Sequence, residues 1–299
     1  MKKVLLVVLF LLALGLVAGC SREDETPAII ADEVIADETE DYTPEDTVEE
    51  EAEEAEEIAV TPEVERRTII MGTSADFPPF EFIADGGQGR HGRYSGLDVA
   101  IAVRIAEALD ADLVIHDAAF EGLIVDLQGG SIDFIAAAMT IRPDRMESVN
   151  FSIPYFAAVQ YMVVMIDDYS IESAEDLNGL YVAVQGGTTG YFFVSDELDA
   201  NVLPYIRASE AFAALLGGRV DAVVIDSAVA QRFVNANPDA LRIVRDNEAF
   251  GDENYGIAVR FGEYDLLDTI NEVIAAMHAS GELAELYYYY TEGPGAPQD

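Results

Sequence analysis

Apolar residues fill positions 4–18, lose any pattern over 21–65, and return from residue 66 as short runs that alternate with helical periods. Thr68-Ile69-Ile70-Met71-Gly72 reads as a buried strand. Over 97–109, Val99, Ala102, Val103, Ala106 and Leu109 share one face of a 3.6-residue period, which predicts a helix. Leu113-Val114-Ile115 is a second strand, and 121–128 a helix ended by Gly129-Gly130. Phe134-Ile135-Ala136-Ala137 is a third strand. Helices alternating with short apolar strands predict an α/β fold with largely parallel sheets.

The pattern has an internal echo. Leu127-Gln128-Gly129-Gly130-Ser131-Ile132-Asp133-Phe134 ends a helix and opens a strand, and Leu215-Leu216-Gly217-Gly218-Arg219-Val220-Asp221-Ala222 does the same. A glycine pair supplies the left-handed cap that a helix C-terminus favours. Two similar lobes would each offer strand ends to a shared crevice, where open α/β sheets bind ligands. Thr140 and Arg145 follow the first of these strands, and Asp226 ends the second. A cation and an anion at matched positions suit a zwitterion.

The first 65 residues read differently. Lys2 and Lys3 precede an apolar run too short for a bilayer span, the order of an export signal. Leu16-Val17-Ala18-Gly19-Cys20 resembles the lipobox of bacterial lipoproteins. Residues 1–20 are therefore expected to be a lipoprotein signal peptide, with Cys20 lipidated and holding the chain on the extracytoplasmic face of a membrane. Residues 21–65 carry 20 acidic side chains and one Arg, with Pro27, Pro44 and Pro62. Such a segment buries too little apolar surface to fold and reads as a solvated acidic tether spanning roughly 40 Å.

Composition narrows the function. Half of the 299 residues are apolar (51%), enough for a large core. The net charge of −41 argues against nucleic acid, which needs a basic footprint. One Cys excludes an intrachain disulfide and a Cys-rich metal site. His91, His116 and His278 have no metal-ligand spacing, so no metal and no cofactor is expected. No P-loop and no Ser-His-Asp or Cys-His pairing is visible. Lys is confined to positions 2 and 3, while 66–299 hold 13 Arg against 37 acids, a balance that suggests a saline or alkaline habitat.

Six segments in order carry a resemblance. They are Gly72-Thr73-Ser74-Ala75-Asp76-Phe77-Pro78-Pro79-Phe80-Glu81-Phe82, Tyr94-Ser95-Gly96-Leu97-Asp98-Val99, and Ala138 to Arg145 running on to Asn150-Phe151-Ser152-Ile153-Pro154-Tyr155. Then come Val184-Gln185-Gly186-Gly187-Thr188-Thr189-Gly190, Val220 to Asp226, and Asn254-Tyr255-Gly256-Ile257-Ala258-Val259. Over about 66–290 the chain resembles the polar-amino-acid solute-binding proteins of ABC importers, bacterial extracellular solute-binding protein family 3. The ArtJ-like basic-amino-acid binders are especially similar around Thr188-Thr189-Gly190 and Asp226. The resemblance implies a two-lobed periplasmic-binding-protein-like fold of type II with two hinge strands. Lobe 1 would hold 66–157 and 253–290, lobe 2 would hold 164–246, and the hinges would lie at 158–163 and 247–252. Closure around a ligand is a known consequence of such hinges. The partners implied are a free amino acid and an ABC permease, with the binding protein a monomer.

The resemblance also assigns a site. Arg145 would clamp the ligand carboxylate, since a guanidinium gives two parallel hydrogen bonds. Arg142 would be a rim or lobe-contact residue. Thr140 and Thr189 would help to hold the carboxylate, with Thr188 or Thr189 also capping a helix. Asp226 would pair with the ammonium, helped by the Ala138 carbonyl, unless it is only a helix cap. Phe77 and Phe120 would wall the side chain, and Ser74 and Gln185 would set preference. Asp76, Glu81 and Glu121 could supply a counter-charge, so Arg, Lys or His is favoured over Gln. Two other readings stay open: a surface amino-acid sensor without transport, and a cyclohexadienyl-dehydratase-like enzyme on the same fold.

Overall fold

A computed structural model describes residues 66–84, Gly86 and 91–293. The expectations for 1–65, including the signal peptide, lipidated Cys20 and the acidic tether, lie outside the described residues.

Two five-stranded sheets form the described chain. In the first, Arg67–Thr73 lies between Ala111–Asp117 and Phe134–Ile135, parallel to both. Ala258–Val259 follows antiparallel, then Asn150–Phe151. In the second, Tyr181–Gln185 lies between Asn201–Tyr205 and Ala222–Asp226, again parallel to both. Gln160–Met165 follows antiparallel, then Leu241–Val244. The two sheets thus share one topology, two-one-three followed by an inserted antiparallel strand. Each inserted strand comes shortly after a connection between the sheets. The connections pair with each other: Phe156–Ala158 runs antiparallel to Glu253–Tyr255.

The lobe limits follow from this pairing. The first lobe takes 66–155 and 256–293, and the second takes about 160–247. The first crossing therefore lies earlier than the expected 158–163. Met162, Val163 and Val164 are fully buried in a strand with neighbours on both sides, so they belong to the second sheet rather than to a connection. The second crossing pairs at Glu253–Tyr255, just after the expected 247–252.

The echo has a structural basis in both lobes. Gly130 and Gly218 take left-handed backbone angles, φ 78° and 65°, and end their helices. Asp133 Oδ2 then accepts from Ile70 N at 2.8 Å, and Asp221 Oδ2 accepts from Tyr181 N at 2.8 Å. In each lobe the carboxylate after the glycine turn ties its strand to the neighbouring parallel strand.

The periodic helix runs Leu97–Ala108 and packs on Tyr264–Ser280 and Glu282–Thr291. Val99, Ala102 and Ala106 are buried as expected, and Ile101 and Ile105 are buried as well. Val103 and Leu109, expected on the buried face, are half-buried. The strand Ala111–Asp117 is a sheet edge with alternating burial, so Val114 is 46% exposed rather than buried. The helix expected at 121–128 begins with a 3-10 turn, Phe120–Gly122, and continues as Leu123–Gly129.

Candidate functional site

A small, tightly closed cavity lies between the lobes, lined by Phe77, Glu81, Phe120, Ala137, Ala138, Thr140 and Arg145 of the first lobe. Gln185, Thr188, Thr189 and Asp226 line it from the second. The ends of strands Phe134–Ile135, Tyr181–Gln185 and Ala222–Asp226 deliver most of these side chains, as the crevice rule for parallel sheets requires.

Arg145 sits in a one-turn helix, Pro143–Met146, started by proline at its first position. It is 6% exposed, so it is not the surface arginine that a short helix would ordinarily carry. Its Nη1 donates to Thr140 O at 2.8 Å and its Nη2 to Gly187 O, across the lobes, at 3.0 Å. Its guanidinium carbon stands 5.3 Å from the Phe120 ring centre. Burial and the nearby Arg142 lower its pKa to about 10. A buried guanidinium of this kind favours a carboxylate. Gly187 has φ 72°, and a Cβ there would stand 3.0 Å from Glu121 Cβ, so glycine lets the second lobe approach this closely.

The capping alternatives resolve at two positions. Thr188 caps the helix Thr189–Glu197 by accepting from Tyr191 N at 3.2 Å. Thr189 Oγ1 is then free to reach Thr140 Oγ1 at 3.3 Å in the other lobe. Asp226 precedes the helix Ser227–Ala236, but its side chain makes no cap bond. Instead Asp226 Oδ1 accepts from Tyr255 Oη at 2.6 Å. Burial and the neighbouring Glu253 raise the Asp226 pKa to about 7. An ammonium group beside it would supply the missing positive charge.

Ala138 has a left-handed backbone, φ 46°, rare for a residue with a Cβ. Asp98 Oδ2 accepts from Ala138 N at 2.7 Å and from Tyr155 Oη at 2.8 Å, which holds that turn against the cavity. Asp98 is fully buried and its pKa rises to about 6 for that reason. Backbone strain held in this way clusters at functional sites.

Of the three candidate counter-charges, only Glu81 lines the cavity. It is 1% exposed, and its Oε2 has no hydrogen-bond partner among the described residues. Burial, then Asp98, Asp226, Asp117 and Asp76, push its pKa well above the usual carboxylate range. Asp76 Oδ2 accepts from Ser209 N at 2.8 Å. Glu121 lies beside Gly186 and Gly187, in a groove outside the cavity. Ser74 is buried but does not line the cavity; Gln185 Nε2 donates to its Oγ at 3.4 Å. Arg142 lies at the lobe boundary, with its guanidinium 4.4 Å from the Phe192 ring centre.

Sequence reasoning missed Glu253, Gln160, Asp98, Tyr155 and Tyr255 around the site. Glu253 Oε2 accepts from Thr140 Oγ1 at 2.7 Å, and its Oε1 accepts from Gln160 Nε2 at 3.0 Å. Among the described residues no group of three or more His, Cys, Asp or Glu is arranged to hold a metal ion. No described helix is long and apolar enough to cross a membrane.

Two lobes of one topology, joined by paired strands around a polar cavity, define a solute-binding protein with a type II periplasmic-binding fold. The family model for bacterial extracellular solute-binding proteins, family 3, matches residues 69–293, and the chain belongs to that family. It is 30% identical over 224 residues to the L-cystine-binding protein TcyJ of Escherichia coli K12, covering 74% of this chain and 82% of TcyJ. It is 31% identical over 217 residues to ABC transporter arginine-binding protein 1 of the same organism, covering 71% and 86%. The P235GK mutant of ArgBP from T. maritima superposes with TM-score 0.70 at 43% identity, covering 75% of this chain and 94% of that one. An ancestral arginine-binding protein bound to glutamine gives 0.69 at 40%, covering 76% and 99%. The ancestral amino acid-binding protein AncCDT-1, a precursor of cyclohexadienyl dehydratase, gives 0.68 at 33%, covering 75% and 96%. Family members are extracellular or periplasmic proteins that bind amino acids for ABC permeases, and the curated relatives are binding proteins rather than enzymes.

Proposed function

We propose that this chain is a membrane-tethered substrate-binding lipoprotein. It takes one polar L-amino acid, preferentially with a cationic side chain, into the interlobe cavity and delivers it to an ABC importer. The observation that carries this reading is the charge layout of one cavity. Arg145 is set for an α-carboxylate, Asp226 for an α-ammonium, and Glu81, whose Oε2 has no hydrogen-bond partner among the described residues, for a side-chain cation. Thr140 and Thr189 reach the carboxylate end from opposite lobes, and Gln185 lines the same cavity. Phe77 and Phe120 wall it, and an aromatic face adds about 0.5–2 kcal/mol for a guanidinium or ammonium. Bonds from both lobes favour the closed state by the ligand's differential affinity. Arginine binding by two similar proteins supports the same preference.

The test is a thermal-shift screen of the common L-amino acids on protein unfolded and refolded to remove carried ligand. A ligand at a hundred times its Kd adds about 2.7 kcal/mol of stability. Arg, Lys or His should give the largest shift. A shift with Gln but not with Arg overturns the cationic preference, and no shift with any amino acid overturns the function. Replacing Cys20 by Ala should move the protein from the membrane to the soluble fraction. A second reading, a dehydratase, is favoured by the raised pKa of Glu81, which places a protonated acid in the cleft. Turnover of a prephenate-like acid would establish it.

A further inference from the structure

A separate group of bonds joins the lobes through side chains that do not line the cavity. Arg207 Nη1, on the second lobe, donates to Asp117 Oδ1 at 2.9 Å and to Ser74 Oγ at 3.4 Å on the first. Beside them, Ser209 N donates to Asp76 Oδ2 at 2.8 Å. Each half of the ion pair is fixed to its own lobe by the backbone. Asp117 ends the strand Ala111–Asp117, and the same Oδ1 accepts from Ala75 N at 3.0 Å. Arg207 precedes the helix Ala208–Leu216, and its own N donates to Glu210 Oε2 at 3.2 Å. The two ends are anchored in different lobes, so separating the lobes would pull the pair apart. The side chains are 28% and 15% exposed, which leaves the pair partly shielded from salt. Arg207 is also one of only 13 Arg against 37 acids over 66–299, where no Lys occurs.

We propose that Arg207 is a positioning residue that clasps the closed lobes through Asp117 and thereby sets how long a bound amino acid stays. The proposal rests on reading the cavity as the amino-acid site. The clasp forms after the ligand has entered an open cleft, so it acts on dissociation and leaves association alone. Truncating one partner of a shielded charge pair acts in this way, while exposed pairs contribute little.

Stopped-flow binding of L-arginine, with L-glutamine as a second probe, separates the two rates. Arg207→Met should raise the dissociation rate about tenfold for whichever probe binds, with the association rate within about twofold of wild type. Asp117→Asn keeps the Oδ1 acceptor for Ala75 N, removes the charge that holds Arg207, and should raise the rate in the same direction by a smaller factor. The double variant should be no faster than Arg207→Met alone, because both remove one interaction. Unchanged dissociation in either folded variant, additive singles, or a change confined to association overturns the clasp. If one variant fails to fold, the other, on the opposite lobe, carries the test. If wild type binds neither probe, the proposed function is what fails. The clasp is then read on the same two rates with the amino acid that gives the largest thermal shift, and an unchanged dissociation rate overturns it.

Discussion

Replacing Glu81 by Gln tests the link between buried charge and ligand choice. Glu81 is 1% exposed, one of its oxygens has no partner among the described residues, and its pKa stands well above the usual carboxylate range. It therefore carries a proton at pH values where a surface glutamate is ionised. A cationic side chain about 4 Å away, at an effective dielectric of 20, would gain about 4 kcal/mol with the ionised form. Ionising Glu81 first takes back about 1.4 kcal/mol for each unit by which its pKa exceeds the pH. Because that cost is subtracted, the roughly 4 kcal/mol is a ceiling, and Glu81→Gln should lose at least about tenfold in arginine affinity at pH 8. Glutamine affinity should stay within about threefold, because its neutral side chain gains nothing from the charge. Calorimetry in phosphate and in Tris at one pH counts the protons released. Arginine binding to wild type should release more protons than arginine binding to Glu81→Gln, and more than glutamine binding to wild type. Equal arginine affinities in the two proteins, or equal proton counts, would refute the reasoning.

Asp226 brings a pH dependence shared by every amino acid. With its pKa near 7, about nine molecules in ten are protonated at pH 6, so affinity should be about tenfold lower there than its limit above pH 8. Calorimetry across that range checks the slope. Arg145→Ala should weaken binding by at least about 2 kcal/mol, because it leaves a buried carboxylate unpaired, while Arg142→Ala should have a much smaller effect; the reverse order would sink the assignment. Ligand-free stability should fall as pH rises from about 4 to 7. Asp98 and Asp226 keep their protons in the fold at pH values where the unfolded chain has released them. It should fall again below about pH 4, where Asp168, Asp176 and Asp246 lose the hydrogen bonds that hold their pKa values low. Melting curves across pH 3–8 should show both limbs. At fixed pH, melting temperature should rise between low salt and about 1 M as the acidic surface is screened, and a flat curve would remove the saline-habitat idea.

What the sequence reveals about this site depends on how far apart the cooperating residues lie. The parallel strands and the echo at Gly129-Gly130 and Gly217-Gly218 are local patterns, and each has a local physical cause in a glycine cap or an apolar run. Arg145, Asp226, Thr140 and Thr189 stand in short motifs, and all four reach one cavity. The choice between Arg142 and Arg145 shows where periodicity stops helping. Residues three apart share a helix face, so spacing cannot tell them apart. They separate because Arg142 keeps an extended backbone, φ −125° and ψ 146°, just before a helix that begins at Pro143. Ser74 shows the opposite failure. It sits in the motif, but a second lobe over a hundred residues away places Gln185 and Arg207 on its hydroxyl. Glu253 and Thr140 are 113 positions apart, and Asp226 and Tyr255 meet across a crossing strand. No period encodes such pairs, because they depend on two sheets that share a topology being brought face to face. The same dependence explains why Glu81 is read only as a nearby acid from sequence. Its place in the cavity wall and the four carboxylates around it set it apart, and three of those four lie in other segments of the chain.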